Sequence, residues 1–174
     1  EIDGLSLQVG DHVTHPIQAG TPHEVRQLHA RSYAWLGDPA VPYATSLCHA
    51  LSEAVGRETQ RFPDLIGWLA NEIGYQRYLD GTHGISPHRD RKKDRLLNLT
   101  CTFEGTALVR IHEFADESLS YRRLRLIDEY RTRPGTVMML RARGFGSGER
   151  RIHEVMPPDE GPRAILNLRM RSKL

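Results

Sequence analysis

From residue 74 to residue 171 the chain is cut into seven short runs, "GYQRYL", "RLLNLTCTF", "TALVRIHEF", "YRRLRLI", "GTVMMLRA", "RRIHEV" and "PRAILNLRMR". Each is alternating or rich in β-branched residues, and Gly, Pro, Asp and Ser clusters separate them. Seven strands at this spacing predict a β-sandwich or barrel, a rolled antiparallel sheet. Pro134-Gly135 and "MPPDEGP" are the clearest turn signals, and the second predicts a hairpin between residues 151–156 and 163–171. The N-terminal third has a different period. "PHEVRQLHARSYAWL" predicts one helix, "SLCHALSEAVGRETQRFPDLIGWLANEIG" a second and, after Pro63, a third, with Ser46 at an N-cap and Pro63 in a first turn. The expectation is an α+β domain spanning 1–174, with 1–73 mainly helical and supporting a β core at 74–174.

The chain has 174 residues, of which 39% are hydrophobic and 26% charged, which fits one soluble globular domain and argues against disordered, collagenous and membrane classes. No apolar window reaches membrane-spanning length, and "EIDGLSLQVG" lacks a basic and then apolar leader, so the expectation is a cytoplasmic protein with no membrane partner. Cys48 and Cys101 fit no CxxC spacing and are expected to be reduced, buried thiols. The net charge of +2 is unevenly spread: residues 1–70 hold four Arg and eight acids, and the remainder holds twenty Lys plus Arg and fourteen acids. A basic second part admits an anionic or nucleic-acid partner without requiring one, since interleaved acids also make a solvated surface.

His88 and Asp90 in "PHRD" stand at i and i+2, so on extended backbone an imidazole and a carboxylate converge. His153 in "RRIHEV" lies on a distant strand that a rolled sheet can return to the same mouth. Two His and one carboxylate with open positions is the facial arrangement of non-haem Fe(II) oxygenases. In a chain with nine His, an HxD pair alone also arises by chance, and the other seven histidines read as surface or core residues. The last strand adds weight. Its alternation puts Arg163, Ile165, Asn167, Arg169 and Arg171 on one face and Ala164, Leu166, Leu168 and Met170 on the other. Arginines on an inward face need an anion, whereas on an edge strand they would simply meet solvent.

Residues 75–171 resemble the catalytic core of the Fe(II)/2-oxoglutarate oxygenases, and among them the AlkB type. "QRYLDG", "HRD", "IHEV" and "RAILNLR" stand in the order and spacing of that branch's Asn-x-Tyr-x-x-Gly element, HxD, distal His and paired arginines. The resemblance implies a double-stranded β-helix, or jelly-roll, barrel. It implies His88, Asp90 and His153 as the Fe(II) ligands and catalytic centre, Arg163 on the distal carboxylate of 2-oxoglutarate, Arg169 near the iron-bound carboxylate, and Tyr78 as a donor to the cosubstrate. Gln76 replaces the branch's Asn and adds a methylene. Asn167, between the two arginines, joins the cosubstrate-binding candidates. Tyr75, Arg91, Arg143 and Phe145 are the substrate-side candidates. "RARGFGSGERR" is either a mobile active-site loop or a surface connection, and "DRKKDR" either a basic lip or a solvated turn. Residues 1–70 do not align with the AlkB nucleotide lid.

What the resemblance implies is O2-dependent hydroxylation of an unactivated C–H bond, with 2-oxoglutarate converted to succinate and CO2. Asp90 favours hydroxylation, or demethylation through hydroxylation, over halogenation, because related halogenases carry a small residue there. A small metabolite or amino-acid-derived substrate is the leading expectation. Oxidative demethylation of alkylated nucleic-acid bases is the alternative, disfavoured by 7% aromatic residues and by the missing lid. A zinc-dependent hydrolase on the same three ligands is a further alternative, against which the paired arginines argue. Oligomeric state is left open.

Overall fold

The computed structural model describes residues 12–13, 25–79, 81, 84–115, 124–146 and 150–172. Among them are ten strands and one α-helix. The strands are β1 (His12–Val13), β2 (His29–Trp35), β3 (Glu72–Tyr78), β4 (Ile85–His88), β5 (Asp94–Glu104), β6 (Ala107–Phe114), β7 (Leu124–Thr132), β8 (Val137–Arg141), β9 (Ile152–Val155) and β10 (Arg163–Arg171); the helix, α1, is Pro42–Arg57. They form a six-stranded sheet ordered β1-β2-β3-β10-β5-β8 and a four-stranded sheet ordered β4-β9-β6-β7. Every ladder between these strands is antiparallel. The architecture is a jelly roll, mostly β with one supporting helix.

Alternation along β10 decides where the core and the site lie. Ala164, Leu166 and Leu168 join Tyr75, Leu97, Leu99 and Cys101 beneath α1, which contributes Ala44, Cys48 and Val55. Burying these side chains is the main stabilising term for the helix, at roughly 1.5–3 kcal/mol for each large apolar side chain. The opposite face looks into the space between the sheets, where Ile165 packs with Tyr78, Val109, Ile111 and Val155. Because β10 is flanked by β3 and β5, it is a central strand, and Arg163 and Arg169 face the cavity, not solvent at an edge. Both cysteines are free and buried.

Four expectations are corrected. Residues 29–35 form a strand where the pattern predicted a helix: its buried residues are His29, Ser32 and Ala34, while Tyr33 and Trp35 are exposed, so apolar periodicity carries no strand signal. The segment after Pro63 makes a single 3-10 turn, Pro63–Leu65, because Gly67 takes φ +76 and redirects the chain into β3. Pro42, not Ser46, opens the helix, and the Ser46 hydroxyl donates to the Pro42 carbonyl at 3.0 Å. Residues 151–156 and 163–171 do not pair as a hairpin, since "MPPDEGP" carries the chain from one sheet to the other. The described part of the first 73 residues therefore holds β1, β2 and the start of β3 as well as the helix. No helix among the described residues is long and apolar enough to cross a membrane.

Gly105 shows how tightly the start of β10 is fixed. Its φ is +68, and a Cβ there would sit 2.2 Å from the Pro162 carbonyl oxygen and 3.0 Å from the Arg163 Cα. Both the backbone sign and the space exclude a side chain. Gly105→Ala is expected to lower stability by roughly 2–4 kcal/mol in urea denaturation; a change under about 0.5 kcal/mol would contradict this packing.

Candidate metal centre

β4 and β9 are paired so that His88 stands directly opposite His153. Their ring centroids are 4.3 Å apart at 52°, and His153 Nε2 lies 4.0 Å from Asp90 Oδ1. The three donor atoms all fall within 4.8 Å of one another. Asp90 reaches them from the short connection after β4. Each imidazole is held from behind: His88 Nδ1 is 2.9 Å from the Ser86 carbonyl and His153 Nδ1 is 3.3 Å from the Arg151 carbonyl. A carbonyl only accepts, so Nδ1–H donates and Nε2 keeps its lone pair for a metal.

Electrostatics prepare the same set. Burial, and then the neighbouring His153, push the His88 pKa down to about 4, so this ring is a neutral ligand at neutral pH. Burial alone would raise the Asp90 pKa, but His153, Arg169, His88 and the Asn98 amide outweigh it, and the carboxyl lies well below the usual carboxylate range. Asn98 on β5 donates Nδ2–H to Asp90 Oδ2 at 2.8 Å, leaving Oδ1 toward His153. The Arg150 guanidinium donates to the Asp90 main-chain carbonyl.

Behind the triad lies a cavity of about 770 Å³ between the sheets. Arg163 forms its floor at 1% exposure. Its guanidinium carbon is 5.5 Å from the centroid of the Tyr78 ring and its Nη2 is 3.4 Å from Thr102 Oγ1, while Nε and Nη1 have no hydrogen-bond partner among the described residues. Burial lowers its pKa, with Tyr78 opposing the shift. Burial likewise pushes Tyr78 up to about 12, so the phenol stays protonated. Gln76 is the hub of a buried polar chain. Its Oε1 accepts from the Tyr78 hydroxyl at 3.1 Å and from Asn167 Nδ2 at 2.8 Å, and its Nε2 meets His29 Nε2 at 3.0 Å. The Thr100 hydroxyl donates to Asn167 Oδ1 at 2.8 Å. The methylene that Gln76 adds over Asn is thus accommodated with both ends of the amide bonded.

Arg169 also lines the cavity but stands differently. Its Nη1 is 3.7 Å from Glu72 Oε1 and its Nε 3.6 Å from Asp94 Oδ2. Glu72 further pairs with Arg171 and, at 2.6 Å, with Arg91. Arg169 is therefore already counterbalanced, and Arg163 is not.

The substrate-side candidates scatter. Arg91 lines the cavity while bound to Glu72, in the "DRKKDR" turn that the Asp94 N–H closes onto the Arg91 carbonyl. Tyr75 points the other way, into the core under α1. Phe145 meets Phe62 edge-on at 5.9 Å, and the Gly146 N–H donates to Asp64 at 2.9 Å, so this part of the 141–151 loop is fastened toward the helical side. Arg143 is held to β5 by a hydrogen bond from the Leu96 N–H to its carbonyl, and neither Arg143 nor Phe145 borders the cavity. Sequence reasoning missed Asn98, Arg31 and Tyr33, all of which line it. Asn98, Thr100 and Thr102 make a polar stripe at period two in an otherwise apolar strand, a signal that was present in "LLNLTCT".

The fold is that of the 2-oxoglutarate dioxygenases. The structure of OsALKBH1 matches with a TM-score of 0.63 at 11% identity over 97% of this chain and 89% of the other. A Trichoplax adhaerens prolyl hydroxylase, in complex with a hypoxia-inducible-factor peptide fragment, matches at 0.59 with 13% identity, covering 98% and 74%. A Pseudomonas putida prolyl-4-hydroxylase matches at 0.51 with 17% identity, covering 84% and 73%. Weaker likenesses, such as a Drosophila melanogaster CENP-C structure and a cysteine peptidase from Thevetia peruviana latex, have TM-scores of 0.39 and 0.41, and the chain spans 63% and 61% of those proteins. No protein-family model and no curated protein matches the chain.

Asn98 fixes the Asp90 carboxylate without being placed to bind the metal itself. Asn98→Ala is expected to weaken Mn(II) binding by about 10-fold or more, with far-UV circular dichroism unchanged. Wild-type affinity in that variant would remove Asn98 from the centre.

Proposed function

We propose that this protein is an Fe(II)- and 2-oxoglutarate-dependent dioxygenase that hydroxylates a C–H bond of a small substrate. The observation that carries this reading is Arg163: a guanidinium at 1% exposure, with two of its three nitrogens unpartnered among the described residues, in the cavity that His88, Asp90 and His153 also line. A buried cation without a counter-charge is costly, and a diacid that also reaches the metal removes that cost.

The donor set fits the group. Two imidazoles with free Nε2 atoms and one carboxylate occupy one face of an ion and leave the other positions open. His88, Asp90 and His153 would hold Fe(II). Arg163 would receive the distal carboxylate of 2-oxoglutarate, with Tyr78 beside it, and Arg169 would add positive charge for the other carboxylate. Gln76 and Asn167 hold Tyr78 in position through the buried amide chain. When bound, iron and 2-oxoglutarate supply an O2-dependent oxidation in which the keto acid leaves as succinate and CO2 and the substrate gains a hydroxyl group. Met138, Leu140, Val155 and Ile165 give the cavity an apolar wall that excludes water. One similar structure holds a peptide, so fold similarity does not choose the substrate. The sparse aromatic content favours a small molecule over a flipped base.

Succinate release from 2-oxoglutarate, dependent on both O2 and Fe(II), tests the reading. His88→Ala and Asp90→Ala are expected to abolish it. Arg163→Ala is expected to raise the 2-oxoglutarate concentration for half-maximal release by about 10-fold or more, with a smaller effect on the limiting rate. Zinc-dependent hydrolysis without succinate release would replace this reading with another.

A further inference from the structure

Among the described residues that line the cavity, seven are Arg or Lys and Asp90 alone is an acid. Part of that excess has an answer. Arg91 and Arg169 sit against Glu72 and Asp94. On the reading given above, a ferrous ion, Asp90, a dianionic keto acid and Arg163 together sum to zero charge. Arg89 lies over the Phe114 ring, 5.2 Å from its centroid, which steadies its charge without neutralising it. Three cations at the mouth, Arg31, Lys92 and Arg150, have no carboxylate partner among the described residues.

Two of the three are held in place. Arg31 stands opposite Gln76 in the β2–β3 ladder, so it shares the cavity face, and its guanidinium carbon is 5.6 Å from the centroid of the Tyr33 ring. Tyr33 is itself positioned by Gly74: a Cβ there would come within 3.1 Å of the Tyr33 ring and 3.5 Å of Arg169 Nη1. Stacking on an aromatic face steadies a guanidinium without neutralising it. Arg150 is anchored by its hydrogen bond to the Asp90 carbonyl, which brings its charge next to the metal centre. A concave site with low-dielectric walls concentrates the field of such charges and draws anions toward it.

We propose that the primary substrate carries an oxyanion group, a carboxylate or a phosphate, which Arg31 and Arg150 grip at the cavity mouth with Lys92 adding charge. This deepens the dioxygenase reading and rests on it for the word substrate. A neutral substrate would strip water from these cations and return nothing, whereas an oxyanion accepts several charge-assisted hydrogen bonds from the same groups. The apolar wall of Met138 and Leu140 then takes the carbon skeleton to be oxidised. Arg31 on β2 and Arg150 just before β9 would thus read the substrate's charge from two elements of the fold.

The test uses the full-length protein loaded with Mn(II) and 2-oxoglutarate without oxygen, so that Arg163 is occupied and no turnover occurs. Inorganic phosphate and benzoate are titrated in separately by calorimetry. At least one is expected to bind, and Arg31→Gln and Arg150→Gln are each expected to weaken it by about 10-fold or more. Lys93→Gln, at an exposed position outside the cavity, is expected to leave binding unchanged. Preference for phosphate or for benzoate identifies which oxyanion the site takes. No binding of either anion, or binding that is the same in Arg31→Gln and Arg150→Gln as in wild type, overturns the proposal. A separate titration of 2-oxoglutarate into the Mn(II) protein judges the dioxygenase reading: failure there removes the cosubstrate, while loss of anion binding alone removes only the oxyanion grip.

Discussion

A guanidinium sealed between two sheets is the constraint around which this molecule is arranged. Taking an unpaired charge out of water costs several kcal/mol even after relaxation. Arg163 meets that condition with only Thr102 and the face of Tyr78 for company. The surrounding structure keeps it there: β10 is a central strand, the Gly105 turn packs directly on Pro162 and Arg163, and Ile165 two residues along is buried in the apolar cluster between the sheets. A side chain held this firmly in an unfavourable state calls for an anionic ligand, and the cavity directs that ligand toward the metal donors.

The metal donors depend on a different set of contacts. His88 and His153 face each other because β4 and β9 pair in one register, and a slip of β4 by a single residue would turn His88 out of the cavity while β6 kept His153 in place. Asp90 follows by two residues and is then clamped from two sides, by Asn98 on its side chain and Arg150 on its main chain. The two sheets thus divide the work. The smaller one supplies the histidines, and the larger one supplies Arg163, Arg169, the amide chain through Gln76 and Asn167, and the Asn98 brace.

The sequence showed the strands of the core because most of them bury one face against apolar neighbours and so alternate visibly. His88, Asp90 and His153 were legible for the same reason, since alternation fixes which way a side chain points. β2 escaped because its buried residues, His29, Ser32 and Ala34, are polar or small while its large apolar ones, Tyr33 and Trp35, are exposed; nothing in such a run distinguishes strand from helix until β3 lies beside it. Of the substrate-side candidates, parity along β3 sends Tyr75 to the helix side, and contact with Phe62 holds Phe145 away from the cavity. The hairpin expected across "MPPDEGP" failed because a turn signal reports that the chain reverses and says nothing about which sheet it joins next.

The most direct measurement compares 2-oxoglutarate with 2-oxopentanoate, which has a methyl group in place of the distal carboxylate, by calorimetry on the Mn(II)-loaded protein without oxygen. If Arg163 is the diacid's partner, 2-oxoglutarate binds about 100-fold tighter or more in the wild type, and the gap nearly closes in Arg163→Met. Equal affinity for the two keto acids in the wild type, or a gap that survives Arg163→Met, would contradict the account.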